Sequence, residues 1–231
     1  MRIVVWNCKM AFSRKWQFLE SHSPDIAVIP ECSKSSIDLA TKCGFDGRWF
    51  GDKPQKGLGV LIAKPWRIVE SKEPQNKWIV PLQISGPANF LLIAVWASQA
   101  SKNLKDNYVV QVHRAVETNP EWFNGQPIIL CGDFNSNAIW DKKRKEVNHS
   151  AVVKFLADRK IVSAYHRFFS EEHGRETRPT HYFWHHKKRG FHIDYLFLSE
   201  DGATRIRDVE VGEYDKWAKL SDHVPLIVNL D

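Results

Sequence analysis

The residues of this chain that could do chemistry lie where apolar runs end. One such run stops at the sequence Gly-Asp-Phe-Asn, which puts Asp133 and Asn135 at the mouth of a buried strand. A second polar ending, Ser-Asp-His, holds Asp222 and His223 just before the last apolar run, and Glu31 closes a third run near the N-terminus. Enzymes of the α/β class keep their ligands at such strand ends. Acids at several strand ends therefore predict one shared metal site.

A group of carboxylates in one place needs a cation. Two carboxylates about 4 Å apart repel each other by roughly 4 kcal/mol at an effective dielectric constant near 20, and a divalent ion removes that cost. Singly, Asp133 can be explained as a turn or cap residue, Asn135 as a turn former and Glu31 as a solvated acid. His223 alone can be explained as a core histidine with satisfied hydrogen bonds. The complete set favours catalysis, because a module that only binds needs no such group of acids.

Strands and helices alternate along the chain, and we find no internal repeat, low-complexity tract or linker. Apolar periodicity predicts helices from about residue 12, capped by Ser13, directly after Cys32, and near 104–118 and 150–159. The predicted strands are 2–6, 25–30, 59–63, 78–82, 90–96, 127–132, 180–185, 192–198, 206–211 and 224–230. The strands between residues 49 and 97 predict a meander. This pattern indicates two packed sheets covered by helices.

Composition limits the class of protein. With 231 residues, 43% of them hydrophobic and 26% charged, the chain is typical of a globular protein, and we expect a single domain over 1–231. No segment reaches membrane-spanning length, and the N-terminus lacks a secretory pattern, so we expect no membrane partner. The four cysteines are far apart and show no zinc spacing. We expect reduced thiols, a cytoplasmic location and a monomer.

The net charge of +6 favours a polyanionic partner, which points to nucleic acid. Two basic clusters, residues 142–145 and 187–189, flank the suspected catalytic strands, and they include Lys142 and Lys188. These clusters could gather phosphates, or they could be solvated loops, and the sequence weighs the two equally. Trp140 and Trp184 lie in or beside these loops, where an indole could stack on a base or pin the loop.

Five short motifs, in this order and rough spacing, resemble those of the endonuclease/exonuclease/phosphatase superfamily. The motifs are Trp6-Asn7, Pro30-Glu31, Gly132-Asp133-Phe134-Asn135, His192-Ile193-Asp194-Tyr195 and Ser221-Asp222-His223. Each motif is weak by itself, but their order spans almost the whole chain. The resemblance implies a DNase I-like α/β fold, a four-layer α/β/β/α sandwich of two packed mixed sheets flanked by helices.

The resemblance also implies a metal centre. Glu31 would be the principal ligand of Mg²⁺, with Asn7 and Asp222 close by, and Mn²⁺ would substitute for Mg²⁺. Asp133 would accept a proton from the attacking water, and the Asn135 amide would fix the direction of that water. With a second metal, these last two would become its ligands.

The remaining implied roles concern the phosphate. His223 would stabilise the developing charge, and Asp194 would orient the imidazole and raise its pKa. His192 alternates with Asp194 along one predicted strand and so shares its face. It is assigned to substrate binding, behind Asp194 and His223. Trp96 stands where related enzymes place a phosphate-contacting Tyr or a catalytic His, and it can only donate an indole N–H.

Two departures from the superfamily pattern matter. Lys9 replaces an acid found in apurinic endonucleases, which implies a metal shell with one ligand fewer. At the position of Trp96 the chain lacks the catalytic histidine of related enzymes. A histidine from another loop could fill this vacant position, although surface histidines without a function are the default. The histidines considered for it are His149, His181, His185 and His186.

The sequence therefore predicts a Mg²⁺-dependent phosphodiester hydrolase, a nuclease that cuts DNA or RNA by in-line attack of an activated water. Two alternatives stay open: a small-molecule or lipid phosphodiesterase or phosphatase of the same fold, and a nucleic-acid-binding module without catalysis. The residues do not separate endonuclease from exonuclease, or one metal from two.

Overall fold

We describe the protein from a computed structural model that covers residues 1–71, 78–99, 108–143 and 147–231 and, for residues 142 and 143, the backbone alone. Within these residues the strands are β1 (Arg2–Val5), β2 (Ile26–Cys32), β3 (Asp46–Lys53), β4 (Lys56–Ile62), β5 (Arg67–Ser71), β6 (Ile79–Ser85), β7 (Phe90–Trp96), β8 (Ile128–Asp133), β9 (Ile161–Ser163), β10 (His181–Tyr182), β11 (Gly190–Phe191), β12 (Asp194–Ser199), β13 (Ile206–Val211) and β14 (Leu226–Leu230). The helices are α1 (Trp16–Glu20), α2 (Lys34–Lys42), α3 (Val109–Thr118), α4 (His149–Ala157), α5 (Ala164–Phe169), α6 (Glu200–Ala203) and α7 (Tyr214–Trp217). Short 3-10 helices occupy Phe12–Arg14, Pro120–Phe123, Ala138–Lys143 and Phe183–His185.

In this described part of the chain the strands form two sheets of six strands each and one short two-stranded ladder. The first sheet has the order β13-β14-β1-β2-β4-β3, the second has the order β5-β6-β7-β8-β12-β9, and β10 pairs with β11. Both large sheets are mixed. In the first, β1 is parallel to β2 and antiparallel to β14, and in the second, β7 is parallel to β8 and antiparallel to β6.

Alternation of side chains along the strands builds the layers. Ile3 and Val5 of β1 belong to an apolar cluster between the two sheets, whereas Val4 and Trp6 pack on the outside with residues of α1 and α2. The outer face of the second sheet packs against α3 and α4 in the same way. Successive side chains of a strand point to opposite faces, so each strand contributes to two clusters. The arrangement confirms the predicted α/β fold of two packed mixed sheets flanked by helices.

Most predicted strands are present, but their grouping was partly wrong. The meander predicted between residues 49 and 97 is divided: β3 and β4 form a hairpin in the first sheet, and β5, β6 and β7 form a meander in the second. Apolar runs identify strands but not their partners, because both sheets have an apolar inner face. No helix of the described residues is long and apolar enough to cross a membrane.

Element ends were the other source of error. Ser13 is not a cap, because the first 3-10 turn follows Ala11 at a positive φ of 51° without a side-chain cap. The strand predicted at 180–185 ends at Tyr182, and the one predicted at 192–198 begins only at Asp194. The described part of the helix predicted near 104–118 begins at Val109, and residues 104–107 lie outside the described residues.

Candidate active site

The two sheets deliver the predicted site residues to one end of the sandwich. Asp133 ends β8 and Asp194 begins β12, and the antiparallel register of these strands sets the two aspartates directly opposite each other. Asn7 follows β1 of the other sheet, and its amide Nδ2 donates to Asp133 Oδ2 at 2.9 Å. A hydrogen bond between these two side chains therefore joins the two sheets at the site.

Gly132 explains why Asp133 can lie so deep. Its φ is +145°, and a Cβ atom at this position would lie 1.9 Å from the carbonyl oxygen of Val95 on the neighbouring strand. Only glycine allows β7 and β8 to approach this closely. The Gly-Asp pair in the motif thus combines a close backbone contact with the acid that follows it.

Asp133 is completely buried and is held by three donors. Besides the amide of Asn7, the side chain of Asn135 donates to Oδ2 at 2.8 Å, and the backbone N–H of Asn135 donates to Oδ1 at 2.8 Å. Burial and the adjacent Asp194 raise the pKa of Asp133 to about 7, although His223 and the Asn7 hydrogen bond act in the opposite direction. At neutral pH this carboxyl group is therefore poised to exchange a proton.

His223 and Asp194 form a buried pair. His223 Nδ1 lies 2.9 Å from Asp194 Oδ2, and the side chains are 7% and 0% exposed. Burial lowers the pKa of His223, but the charge of Asp194 and its hydrogen bond outweigh burial and raise the pKa to about 9. The backbone N–H of Asp194 donates to Thr180 Oγ1 at 3.0 Å, which fixes the start of β12. We call Asp133, Asp194 and His223 the acid cluster; their ligand atoms lie within 4.8 Å of one another.

Asp222 extends the acid cluster towards solvent. Lys9 Nζ donates to its Oδ2 at 2.8 Å, and the backbone N–H of Lys9 donates to Asn7 Oδ1 at 3.0 Å. His181 joins the group, because its ligand atoms and those of Asp222 and His223 all lie within 4.8 Å of one another. Burial and the nearby His223 lower the pKa of His181 to about 4. This imidazole is neutral at pH 7, in contrast to that of His223.

Glu31 lies on the rim of the same site. It has a φ of 62°, at a bulge where β2 pairs with β4, and its side chain accepts from Lys56 Nζ at 2.8 Å. Glu31, Asn135 and Trp96 line one cleft of about 510 Å³. A larger cleft of about 790 Å³, beside Met1, Phe90 and Leu230, holds none of the predicted site residues. Asn135 lines the smaller cleft and donates to Asp133, so this cleft is the one that adjoins the acid cluster.

The five predicted substrate contacts with indole or ammonium side chains lie in different settings. Trp96 is 6% exposed and stacks on Trp78, with centroids 6.1 Å apart. Trp140 is 38% exposed and packs against Phe191. Trp184 is the most open, at 69%, and Lys188 is exposed. The side chain of Lys142, and residues 144–146 of its cluster, lie outside the described part of the chain.

The substrate-contact prediction for His192 does not fit its position. The residue precedes β12, is 2% exposed, and packs its ring 4.3 Å from that of Tyr165. Strand alternation failed here because the ladder starts two residues later than predicted. His192 therefore belongs to a different group of side chains, behind the acid cluster.

Three side chains of the site were not among the predicted site residues. The sequence marks Lys9 only as the replacement of an acid, offers His181 as one of four histidines for the vacant position, and gives no sign of Lys56. The bridge that pairs His181 with His223 is a contact between distant segments. Such long-range contacts have no signature in a single sequence.

The donor atoms of the rim fit a hard divalent cation. Glu31 and Asp222 offer carboxylate oxygens and Asn7 an amide oxygen, the type of ligand that Mg²⁺ prefers. Each of the two carboxylates holds a lysine ammonium group at 2.8 Å, so both positions attract cations. Asp194 Oδ1 is buried without a hydrogen-bond partner among the described residues, although Oδ2 of the same carboxylate is paired with His223.

The chain belongs to the Endonuclease/Exonuclease/phosphatase family, whose sequence profile matches residues 4–223. No curated protein matches it. Its fold is similar to that of a 3'-5' exonuclease from Neisseria meningitidis, with a TM-score of 0.74, 20% identity and 100% of both chains covered. It is similar also to a Neisseria 3' phosphatase bound to a product DNA hairpin (TM-score 0.66, 18% identity, 100% of this chain and 99% of that chain). An AP endonuclease from Archaeoglobus fulgidus gives a TM-score of 0.73 at 17% identity, with 100% of this chain and 99% of that chain covered.

Proposed function

We propose that the protein is a divalent-metal-dependent phosphodiester hydrolase and that its substrate is a nucleic acid. The observation that carries the proposal is the acid cluster, in which two buried aspartates and a histidine meet at the mouth of the sandwich. A fold needs no such group for stability, because buried charges cost free energy unless they are paired. Membership of the Endonuclease/Exonuclease/phosphatase family supports hydrolysis of a phosphate ester.

Glu31, Asn7 and Asp222 would hold the metal, Mg²⁺ or Mn²⁺. When bound, the ion supplies positive charge that neutralises the phosphate and favours attack by a nucleophile. Lys9 and Lys56 already neutralise two of these oxygens, so they compete with the ion for its ligands. We therefore expect weak metal affinity, which rises when either lysine is removed.

Asp133 is the proposed general base. Its pKa of about 7 lets it take a proton from water at neutral pH, and two asparagine side chains orient the carboxylate. A base with a pKa near the working pH is the most effective. The Asn135 amide also donates to the carbonyl oxygen of Ala97 at 2.9 Å, which fixes its own orientation.

His223 is the proposed contact to the phosphate. With its pKa at about 9, it is an imidazolium at pH 7, and Asp194 occupies Nδ1. The remaining ring donor, Nε2, has no hydrogen bond to the described residues, so it would stabilise charge on a phosphate oxygen. Asp194 acts as the orienting partner, and the hydroxyl of Thr180 holds its backbone in place.

Exposed aromatic and basic groups beside the site support nucleic acid as the substrate. Trp184 stacks on Phe183 and lies 5.8 Å from the guanidinium of Arg189, with Lys188 between them in the chain. Such a surface can stack an unpaired base and bind its phosphate. One similar structure, the Neisseria 3' phosphatase, holds a DNA hairpin.

The test is an activity panel with the purified full chain. Single-stranded DNA, linear duplex, abasic duplex, RNA and inositol phosphates are incubated with Mg²⁺ or Mn²⁺, and parallel reactions contain EDTA. We expect cleavage of a nucleic acid that EDTA abolishes. Asp133→Asn should lower kcat by about 10²–10⁴-fold. The matched control is Asp158→Asn, an exposed carboxylate paired with Lys154 on α4, which should cleave at the rate of the unaltered protein.

The outcomes separate the candidates. Cleavage confined to inositol phosphates, or an affinity for DNA and RNA that does not fall with salt, would favour the small-substrate hydrolase. Salt-sensitive binding of nucleic acid without cleavage of any substrate would favour the binding module. Equal rates for Asp133→Asn and Asp158→Asn would remove Asp133 from the mechanism.

A further inference from the structure

A second group of histidines lies behind the acid cluster. It consists of His149 at the start of α4, His166 in α5, His173 and Glu176 in the following loop, and His192 before β12. We call these five residues the histidine cluster. The proposed hydrolysis uses none of them.

Three members of the histidine cluster are close enough to share an ion. One ring nitrogen each of His166 and His173 and a carboxylate oxygen of Glu176 all lie within 4.8 Å of one another. His166 Nε2 and Glu176 Oε1 are 3.1 Å apart. In a tetrahedral zinc site with bonds of about 2.0 Å, two ligand atoms are separated by roughly 3.3 Å. The closest pair is therefore already at ligand spacing.

Glu176 is a buried carboxylate with no permanent cation. Its side chain is 4% exposed, and it forms no ion pair with Lys or Arg among the described residues. Its hydrogen bonds come from Asn137, from the backbone N–H of Gly174 and from His166, and they lower its pKa to about 2 although burial raises it. An ionised carboxylate in this setting calls for a positive partner.

His173 offers lone pairs rather than charge. Burial and the neighbouring imidazoles of His166 and His149 lower the pKa of His173 to about 2, so this ring is neutral at pH 7. Its Nδ1 lies 3.2 Å from His149 Nε2, and its Nε2 has no hydrogen bond within the described part of the chain. His192 Nε2 is buried and likewise has no partner there.

From this geometry we propose that His166, His173 and Glu176 bind a divalent ion of borderline softness, with Zn²⁺ as the best fit. Two imidazoles and one carboxylate make a common zinc ligand set, and a water would complete four-coordination. The rings of His166 and His173 stack with centroids 3.5 Å apart, so one ring must turn to bring both lone pairs onto the ion. His173 is half-buried, and turning it breaks its hydrogen bond with His149 and its stacking on Phe197.

The ion would brace the loop between α5 and β10. Asn137, just past the Asp133 motif, donates both to Glu176 Oε2 at 3.0 Å and to the carbonyl oxygen of His192 at 2.9 Å. The same loop ends at Thr180, whose hydroxyl receives the backbone N–H of Asp194. The zinc site is therefore a structural support, separate from the metal that the proposed hydrolysis requires.

The test uses the full chain after chelator treatment and dialysis, titrated with Co²⁺ alone and with Zn²⁺ alone. We expect one equivalent of Co²⁺ to give the intense visible bands of four-coordinate cobalt, and Zn²⁺ to displace it and raise Tm. Asp133→Asn should keep these bands, because it alters only the acid cluster. His173→Gln and Glu176→Gln should weaken Zn²⁺ binding by more than about 100-fold.

His113→Gln is the matched control, since His113 and Glu117 also form a His–Glu pair, at 3.4 Å on α3. It should bind like the unaltered protein. The titration of the unaltered chain does not depend on how the variants fold. Absence of four-coordinate bands in that titration would overturn the proposal, and so would bands that survive in folded His173→Gln and Glu176→Gln, which would indicate adventitious surface binding only. Neither result bears on hydrolysis.

Discussion

The acid cluster and the histidine cluster are both buried groups of carboxylates and imidazoles, yet their protonation is opposite. In the acid cluster two aspartates surround His223 and raise its pKa to about 9. In the histidine cluster four imidazoles share one glutamate, and the pKa of His149 falls to about 4, chiefly through burial. Burial lowers the pKa of a histidine in both places, and at His223 the charge of Asp194 and its direct hydrogen bond reverse that effect.

The two protonation states suit different ligands. An imidazolium held by an aspartate donates hydrogen bonds to an anion, so the acid cluster is suited to a phosphate. Neutral imidazoles around a carboxylate donate lone pairs, so the histidine cluster is suited to a metal ion. Histidine thus suits an anion in the acid cluster, where Asp194 keeps His223 charged, and a metal ion in the histidine cluster.

Asp194→Asn removes the carboxylate that is paired with His223, and it should have the largest effect. Without this carboxylate, burial is opposed only by the charges of Asp133 and Asp222 among the groups that act on His223, and its pKa should fall from about 9. Loss of the imidazolium should lower kcat by about 10³–10⁴-fold, similar to the loss of a general acid or of an oriented catalytic histidine. NMR titration of the histidine C–H signals and single-turnover rates measure the two effects.

The control for Asp194→Asn is Asp208→Asn at the edge of the first sheet, where the carboxylate accepts a hydrogen bond from the Asn229 amide at 3.5 Å. An unchanged pKa for His223 in Asp194→Asn would show that the pairing does not set its charge. Far-UV circular dichroism of both variants separates this result from unfolding.

Acid should destabilise the protein through the histidine cluster. The pKa values of His149 and His192 are lowered to about 4 in the folded state, chiefly by burial, against 6.5 in the unfolded chain. The unfolded state therefore binds more protons between these values, and the stability present above pH 6.5 is lost as the pH falls towards 4. Each histidine contributes up to about 1.4 kcal/mol per pH unit, and we expect a total loss of a few kcal/mol.

Urea unfolding in EDTA between pH 4.5 and 7.5 measures this slope. His149→Gln should flatten it, because glutamine does not titrate, and the control is His22→Gln, at a half-buried position that packs against Trp217 and not against the histidine cluster. A slope equal in all three proteins would mean that the histidine cluster is not neutral in the fold. His223 acts in the opposite direction, since its raised pKa gives stability that is lost only as the pH rises through about 9.

The smallest effect concerns the surfaces beside the two clusters. Trp184 is 69% exposed next to the basic segment near the acid cluster, and Phe168 is 39% exposed on α5 beside the histidine cluster. If only the first surface meets nucleic acid, Trp184→Ala should weaken binding of single-stranded DNA by about 1 kcal/mol, roughly fivefold. Phe168→Ala should leave it unchanged. Fluorescence anisotropy at fixed salt compares them, and equal losses would remove the proposed stacking role of Trp184.

Much of the fold could be read from the sequence because its strands are apolar runs with clear ends. The strands at Phe90–Trp96 and Ile206–Val211 were predicted to the residue. Strand β3, with no fully buried residue along Asp46–Lys53, was missed because it lacks an apolar pattern. A half-buried edge strand gives little periodicity, so local sequence does not reveal it.

The candidate site was predicted in part, for a similar reason. Asp133, Asp194 and His223 sit at motif positions and at strand ends, and the structure brings them together, although their roles stay predictions. His192 was misplaced because β12 begins two residues later than predicted, at Asp194, so strand alternation does not extend to His192. The histidine cluster went unseen, since its members come from four segments with no common motif.

The site takes Asn7 and His223 from one sheet and Asp133 and Asp194 from the other. A polypeptide that has formed either sheet alone holds only two of these four side chains in place. Activity should therefore appear late in refolding, after the backbone signal has recovered, when the two halves dock. The return of enzymatic turnover would then report the moment at which the two sheets pack together.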